Sequence, residues 1–177
     1  KLTVNITFPN AIADQKAAYQ DMKVVISGGD LPENLVYKLG TGEGATALEG
    51  GAYKLVVDGK LTENTAYTVT VSGAGYRTAR YTVTMTADKT LNFWNNVKDT
   101  PAVVEEGSST GAKSVTFLAG DIVKDGKINI YDLSAVVSYF GTVNNVNVAS
   151  EYAKYDLNRD GKIDSKDVAY VLVSWGK

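Results

Sequence analysis

The sequence predicts a two-part chain: an all-β sandwich followed by a small all-α unit made of two duplicated loop-helix segments. Three observations carry this. Apolar residues alternate with polar ones through much of residues 1–98, the period of a half-buried strand. A twelve-residue stretch at 121–132, DIVKDGKINIYD, returns thirty-five residues later at 156–167 as DLNRDGKIDSKD. Behind each copy the apolar spacing changes to threes and fours, that of a helix face.

In the first part, Leu2, Val4, Ile6 and Phe8 form one alternating set, and Met22, Val24 and Ile26 the next. Tyr53, Leu55 and Val57 follow, then Tyr67, Val69 and Val71, then Tyr81, Val83 and Met85, then Leu91 and Phe93. Turn residues separate them: Ser27-Gly28-Gly29-Asp30, Gly40-Thr41-Gly42, Asp58-Gly59, Ser72-Gly73-Ala74-Gly75 and Ala87-Asp88. Six or more short strands so spaced indicate two packed sheets, immunoglobulin-like in kind. Residues 11–21 read as a short helix or a structured loop. Residues 95–111 read either as a linker or, through Ala102-Val103-Val104 and Ser114-Val115-Thr116-Phe117-Leu118, as two strands around a hairpin loop. Phe117-Leu118 stands one residue before Gly120-Asp121, which leaves no flexible tether. Domains at 1–119 and 120–177 are therefore expected to pack together and move as one body.

The acidic repeats read as calcium loops. Such a loop needs oxygen donors at places one, three, five and twelve, a backbone carbonyl at seven, and a glycine at six for the sharp turn. The second copy fills every place. Asp156, Asn158 and Asp160 supply side-chain oxygens, Gly161 turns the chain, Lys162 offers its carbonyl, Asp164 acts through a water, and Asp167 closes the shell. In the first copy Asp121, Asp125, Gly126, Lys127, Asn129 and Asp132 sit correctly, but Val123 holds place three and brings no side-chain oxygen. A water or looser coordination is expected there. Two calcium ions are thus implied, and acidic sites used as fixed structure suit the high free calcium outside a cell, where affinities of about 10⁻⁴ to 10⁻³ M suffice.

Leu133, Val136, Val137 and Phe140 follow the first loop, and Val168, Val171, Leu172 and Trp175 the second; these are expected to form the buried stripes. Each run ends at a glycine, Gly141 or Gly176, where a helix C-terminus favours one. Before Asp121 the text is strand-like, so each unit is a loop with one helix. These features together resemble a dockerin: the Gly120-Asp121 and Asp125-Gly126 pairs, the Asp132-Leu133 and Asp167-Val168 pairs, and the Phe140-Gly141 and Trp175-Gly176 ends. Sandwich joined directly to dockerin resembles the X-module and type II dockerin pair of a bacterial cellulosome scaffoldin, over the first 119 residues in architecture rather than motif.

The resemblance implies a cohesin partner, an extracellular home on the cell surface, and a role in cellulosome assembly. Opposite the expected stripes lie Tyr131, Ala135, Ser138 and Thr142 on one helix and Lys166, Tyr170, Val173 and Lys177 on the other, with Ile130 on the flank. Aromatic anchors among small residues suit a protein interface, and these places match the family's cohesin-contacting positions. The pair Ile130-Tyr131 is less like the hydroxyl pair of type I dockerins than like type II. Because the two faces differ, one binding orientation is expected. Residues 148–155 read as a short connecting helix, with Tyr152 and Tyr155 set to pack on the sandwich.

Other classes fit poorly. Net charge is −2 and evenly spread, with no basic face for nucleic acid and no polybasic membrane anchor. No apolar run approaches the roughly eighteen residues of a membrane span. The opening Lys1-Leu2-Thr3-Val4 starts within a strand and reads as a cut or processed fragment. Cysteine is absent, so disulfides do not stabilise the fold. Histidine is absent too, which removes the commonest general base, and calcium already accounts for the clustered acids, so no enzyme or small-molecule substrate is expected. The alternative is a carbohydrate-binding sandwich in which Trp94, Tyr53 or Tyr76 stacks on sugar rings.

Overall fold

Period-two alternation is realised strand by strand. The computed structural model describes residues 1–8, 21–39, 45–47, 52–94, 112–142, 146 and 150–177 of the chain. It contains β1 (Leu2–Thr7), β2 (Lys23–Ser27), β3 (Leu35–Lys38), β4 (Ala45–Ala47), β5 (Ala52–Val57), β6 (Ala66–Gly73), β7 (Tyr76–Thr84), β8 (Lys89–Trp94) and β9 (Ala112–Thr116). Helices α1 (Ile130–Ser138) and α2 (Ser165–Val173) follow. The strands form two sheets, in the orders β4-β5-β1-β8-β9 and β3-β2-β6-β7.

Register places like against like. In the five-stranded sheet Leu2, Val4 and Ile6 stand opposite Val57, Leu55 and Tyr53, and on their other side Val4 and Ile6 meet Leu91 and Phe93. In the four-stranded sheet Val24 and Ile26 face Val71 and Val69, and Tyr67 faces Val83. A slip of one residue would turn each of these rows to solvent. Burying one such side chain stabilises the fold by about 1.5–3 kcal/mol. The expected inward residues are buried, apart from Tyr81, which shares the inward face of β7 with Ala79 and Val83 but is half-buried.

The first sheet is mixed: β1 is antiparallel to β5 but parallel to β8, and β8 is parallel to β9. Two short strands, β3 and β4, were not anticipated; both lie at sheet edges, and β3 stays partly exposed throughout. Residues 9–20 and 95–111 lie outside the described residues, and with them nearly all of the 11–21 stretch and the linker-or-hairpin question. The expected helix at 148–155 is not formed over its described part. Residues 151–155 make tight turns, with Ala153 N–H donating to Ser150 O and Tyr155 N–H to Tyr152 O, each three residues back. Tyr155 stacks on Tyr139 just past α1, at 4.4 Å between ring centres, and Tyr152 meets the same ring at a tilt, at 5.5 Å.

Among the described residues one hydrophobic cluster runs from the strands through Phe117, Leu118 and Ile122 to Ile128, Val136, Leu157, Ile163 and Val171. At the turn after β2, the Asp30 carboxylate accepts from Thr62 Oγ1 and Tyr67 Oη, each at 2.5 Å. Those bonds, Thr62 first, hold Asp30 below its ordinary value of 3.8. A lowered carboxylate contributes stability above its unfolded value, and loses it as pH falls through its folded one. Asp30→Asn is therefore expected to lower the melting temperature at neutral pH and to flatten its fall from about pH 5 to pH 2. An unchanged acid slope would count against this account.

Candidate metal loops and partner surface

Both loops fold around their first carboxylate. Asp121 accepts the N–H groups of Asp125 (3.1 Å) and Gly126 (3.3 Å), and Asp156 those of Asp160 (3.1 Å) and Gly161 (2.9 Å). The glycines at place six have φ of 81° and 86°, which a residue with a Cβ rarely adopts. The last carboxylate closes each loop from below. Asp132 is fully buried and accepts from Ile122 N (2.7 Å), Val123 N (3.1 Å) and Asn129 N (2.9 Å). Asp167 does the same for Leu157 N (2.7 Å), Asn158 N (3.3 Å) and Asp164 N (2.8 Å).

These two aspartates also start the helices. Asn129 and Asp164 cap α1 and α2, and Asp132 and Asp167 return the bond as third residues of capping boxes. At place eight Ile128 and Ile163 are buried, and the units are crossed: Gly141 N–H donates to Ile163 O and Gly176 N–H to Ile128 O, both at 2.9 Å. Gly141 and Gly176 have φ of 69° and 73°, as expected past a helix end.

The electrostatics of the loops would suit a cation. Burial raises Asp121, and burial with neighbouring carboxylates pushes Asp156 and Asp167 up to about 6. Burial also acts on Asp160, but hydrogen bonds from Lys166, Asn158 and the Lys162 N–H outweigh it and bring Asp160 down. Desolvated carboxylates beside one another are relieved by a divalent ion, and an all-oxygen donor set suits calcium. Among the described residues no three His, Cys, Asp or Glu side chains converge as a metal cluster by themselves. A bound ion would therefore also need Asn158 and the carbonyls of Lys127 and Lys162. Val123 is exposed and offers only its backbone.

The helix faces differ from expectation. Val136 and Val171 are buried as expected, and Leu133 and Val168 are half-buried. Leu172 is 52% exposed, and Val137 is exposed with it, whereas Tyr170 is buried at 8% and Ala135 half-buried. With about 100° per residue, both helices are turned the same way about Val136 and Val171: the preceding residue faces in and the following one faces out. Phe140 (49%) and Trp175 (44%) are exposed because each lies beyond its helix, past Ser138 or Val173, where the helical projection no longer applies. Tyr170 is thus core rather than contact surface. Ile130, Tyr131, Ser138, Thr142, Lys166, Val173 and Lys177 are exposed, and Lys166 Nζ pairs with Asp160 at 2.9 Å.

The loops are bolted to the strands at the turn between β6 and β7. Tyr76 stacks on Phe117 (5.2 Å), meets Phe8 edge-on (5.8 Å), and donates its hydroxyl to Leu157 O at 2.7 Å. Backbone bonds join Arg77 N–H to Leu118 O and Gly120 N–H to Gly75 O, both at 2.8 Å. Lys124 and Arg159, which the motif leaves unassigned, point into the same turn. Their signal in the sequence was there: a basic residue at place four of both copies.

A family model for the dockerin type I domain matches residues 119–172. The C-terminal third is dockerin-like. The whole chain resembles solved chains from type II cohesin-X-dockerin complexes of Acetivibrio cellulolyticus. One, an N-terminal interface mutant, is 22% identical with a TM-score of 0.58, covering 100% of this chain and 97% of that one. The other, a C-terminal interface mutant, is 21% identical with a TM-score of 0.58, covering 99% and 95%. At these identities the likeness is one of fold: strands followed by a dockerin-like segment. A search of curated proteins returned no match.

Proposed function

We propose that this chain is a non-catalytic, calcium-dependent interaction module whose dockerin-like segment binds a type II cohesin and so assembles or anchors a cellulosome. Residues 1–119 act in this reading as an immunoglobulin-like X-module, and residues 120–177 as a dockerin with two duplicated calcium units. The observation that carries it is a dockerin-like segment that leaves large apolar side chains on, and just past, both of its short helices in solvent. Ile130, Tyr131, Val137, Phe140, Leu172, Val173 and Trp175 are all exposed, and scattered single residues would not need a partner. The outward polar residues Ser138, Thr142, Lys166 and Lys177, with half-buried Ala135, would form the rim.

Sugar binding has less support, because two of its three candidate rings, Tyr53 and Tyr76, are buried and present no face to a ligand; the Trp94 side chain lies outside those described. Calcium loops of this kind suit an extracellular setting. Among the described residues no helix is long and apolar enough to cross a membrane.

Calorimetric titration with a type II cohesin in millimolar calcium should show one tight complex, and cellulose pull-down should show none. The double variant Leu172→Ala with Trp175→Ala is expected to bind at least about tenfold more weakly, as for interface anchors. Its melting temperature should change little, because both side chains are exposed. Undiminished affinity would remove this surface from the interface, and no binding to any type II cohesin would remove the function.

A further inference from the structure

We propose that the β6–β7 turn, Gly73-Ala74-Gly75-Tyr76, is one clamp shared by both metal loops, gripping each through its fourth residue and coupling their uptake of calcium. The proposal rests on the calcium reading above. Lys124 and Arg159 hold place four of the two loops, and both have φ of 60°, a left-handed conformation disfavoured for a residue with a Cβ. That twist is what aims the next N–H at the first carboxylate: Asp125 N–H at Asp121 and Asp160 N–H at Asp156, both at 3.1 Å. The side chains leave in the other direction and arrive at the same place. Lys124 Nζ donates to Gly73 O at 2.6 Å and to Tyr76 O. Arg159, buried, donates through Nη2 to Ala74 O at 2.8 Å and to Asp21 Oδ2 at 2.9 Å, and through Nη1 to Ala153 O. The Ala74 N–H donates to the same Asp21 oxygen at 2.9 Å, which fixes the turn itself.

Two copies of an internal repeat therefore converge on one four-residue turn of the other half of the chain. Lys124 and Arg159 each favour the charged form of their loop's first carboxylate, Asp121 and Asp156, but a cation opposes a bound metal by charge, so charge does not explain why place four is basic in a loop that holds an ion. Each serves it as an anchor that holds residue four in its strained form before the ion arrives. Ordering completed in advance does not have to be made at binding. A turn held firm by one occupied loop is also already set for the other, which gives positive cooperativity.

The test is calorimetric calcium titration of the full chain, with circular dichroism to follow the fold, for Lys124→Met, Arg159→Met and Gly75→Ala. Charge alone predicts tighter calcium in the first two variants. The clamp predicts binding about fivefold weaker at the altered loop, on the scale of one left-handed residue, and weaker binding at the other loop as well. Gly75→Ala alters no charge, but its Cβ would stand 2.3 Å from the Lys154 carbonyl oxygen and push the turn away; it is expected to weaken both loops. If a neutral variant fails to fold, Lys124→Arg and Arg159→Lys keep the charge and change the reach, and weaker calcium at both loops supports the clamp. Calcium bound as tightly or more tightly in folded variants overturns the clamp and leaves the calcium reading standing. A wild-type chain that takes up no calcium overturns both.

Discussion

In excess EDTA the helical circular-dichroism signal is expected to fall sharply while the β signal persists, and cohesin affinity should disappear with it. The helices have nine residues each, too few to hold their shape without tertiary support. That support is the loop: Asp132 and Asp167 both close it and start the helix. Without an ion, Asp156 and Asp167 stay buried near other carboxylates, which is why their values rise to about 6. At free calcium one hundred times the dissociation constant, each site adds about 2.7 kcal/mol to the folded state. The strands keep their own rows of buried side chains and need no metal. An unchanged helical signal and an unchanged affinity in EDTA would remove calcium from the account.

Tyr76→Ala is expected to be the most damaging single substitution, costing about 3–5 kcal/mol, the range for truncating a large buried aromatic. The ring is 1% exposed, stacked on Phe117 and edge-on to Phe8, with the Arg159 guanidinium 5.8 Å from its centre. Removing it leaves a cavity where strands and loops meet. Tyr76→Phe keeps the ring and removes the hydrogen bond to the Leu157 carbonyl, so about 1 kcal/mol is expected. Urea unfolding separates the two. If both variants lose the same small amount, the ring is not a keystone of the joint.

Most strands were legible because alternation needs only near neighbours: Leu2, Val4, Ile6 and Phe8 announce their face by spacing alone, and all are buried. The edge strands β3 and β4, of four and three residues, are too short for that signal. The loops were legible as a repeated pattern, but the rotation of the helices was not. On nine residues a stripe of three or four apolar positions is defined only to within a third of a turn, and Phe140 and Trp175 extended it past the helix ends. Tyr170 consequently read as surface and lies in the core. The roles of Lys124 and Arg159 needed partners 48 and 85 residues away in the chain, which no local pattern encodes.

The parallel run of β1, β8 and β9 decides how the molecule answers tension. A pull entering ahead of Leu2 and leaving beyond Thr116 acts on opposite ends of strands that point the same way. The load then falls in shear on many rungs of the two ladders together, instead of peeling them one at a time, so rupture should be slow even where equilibrium stability is ordinary.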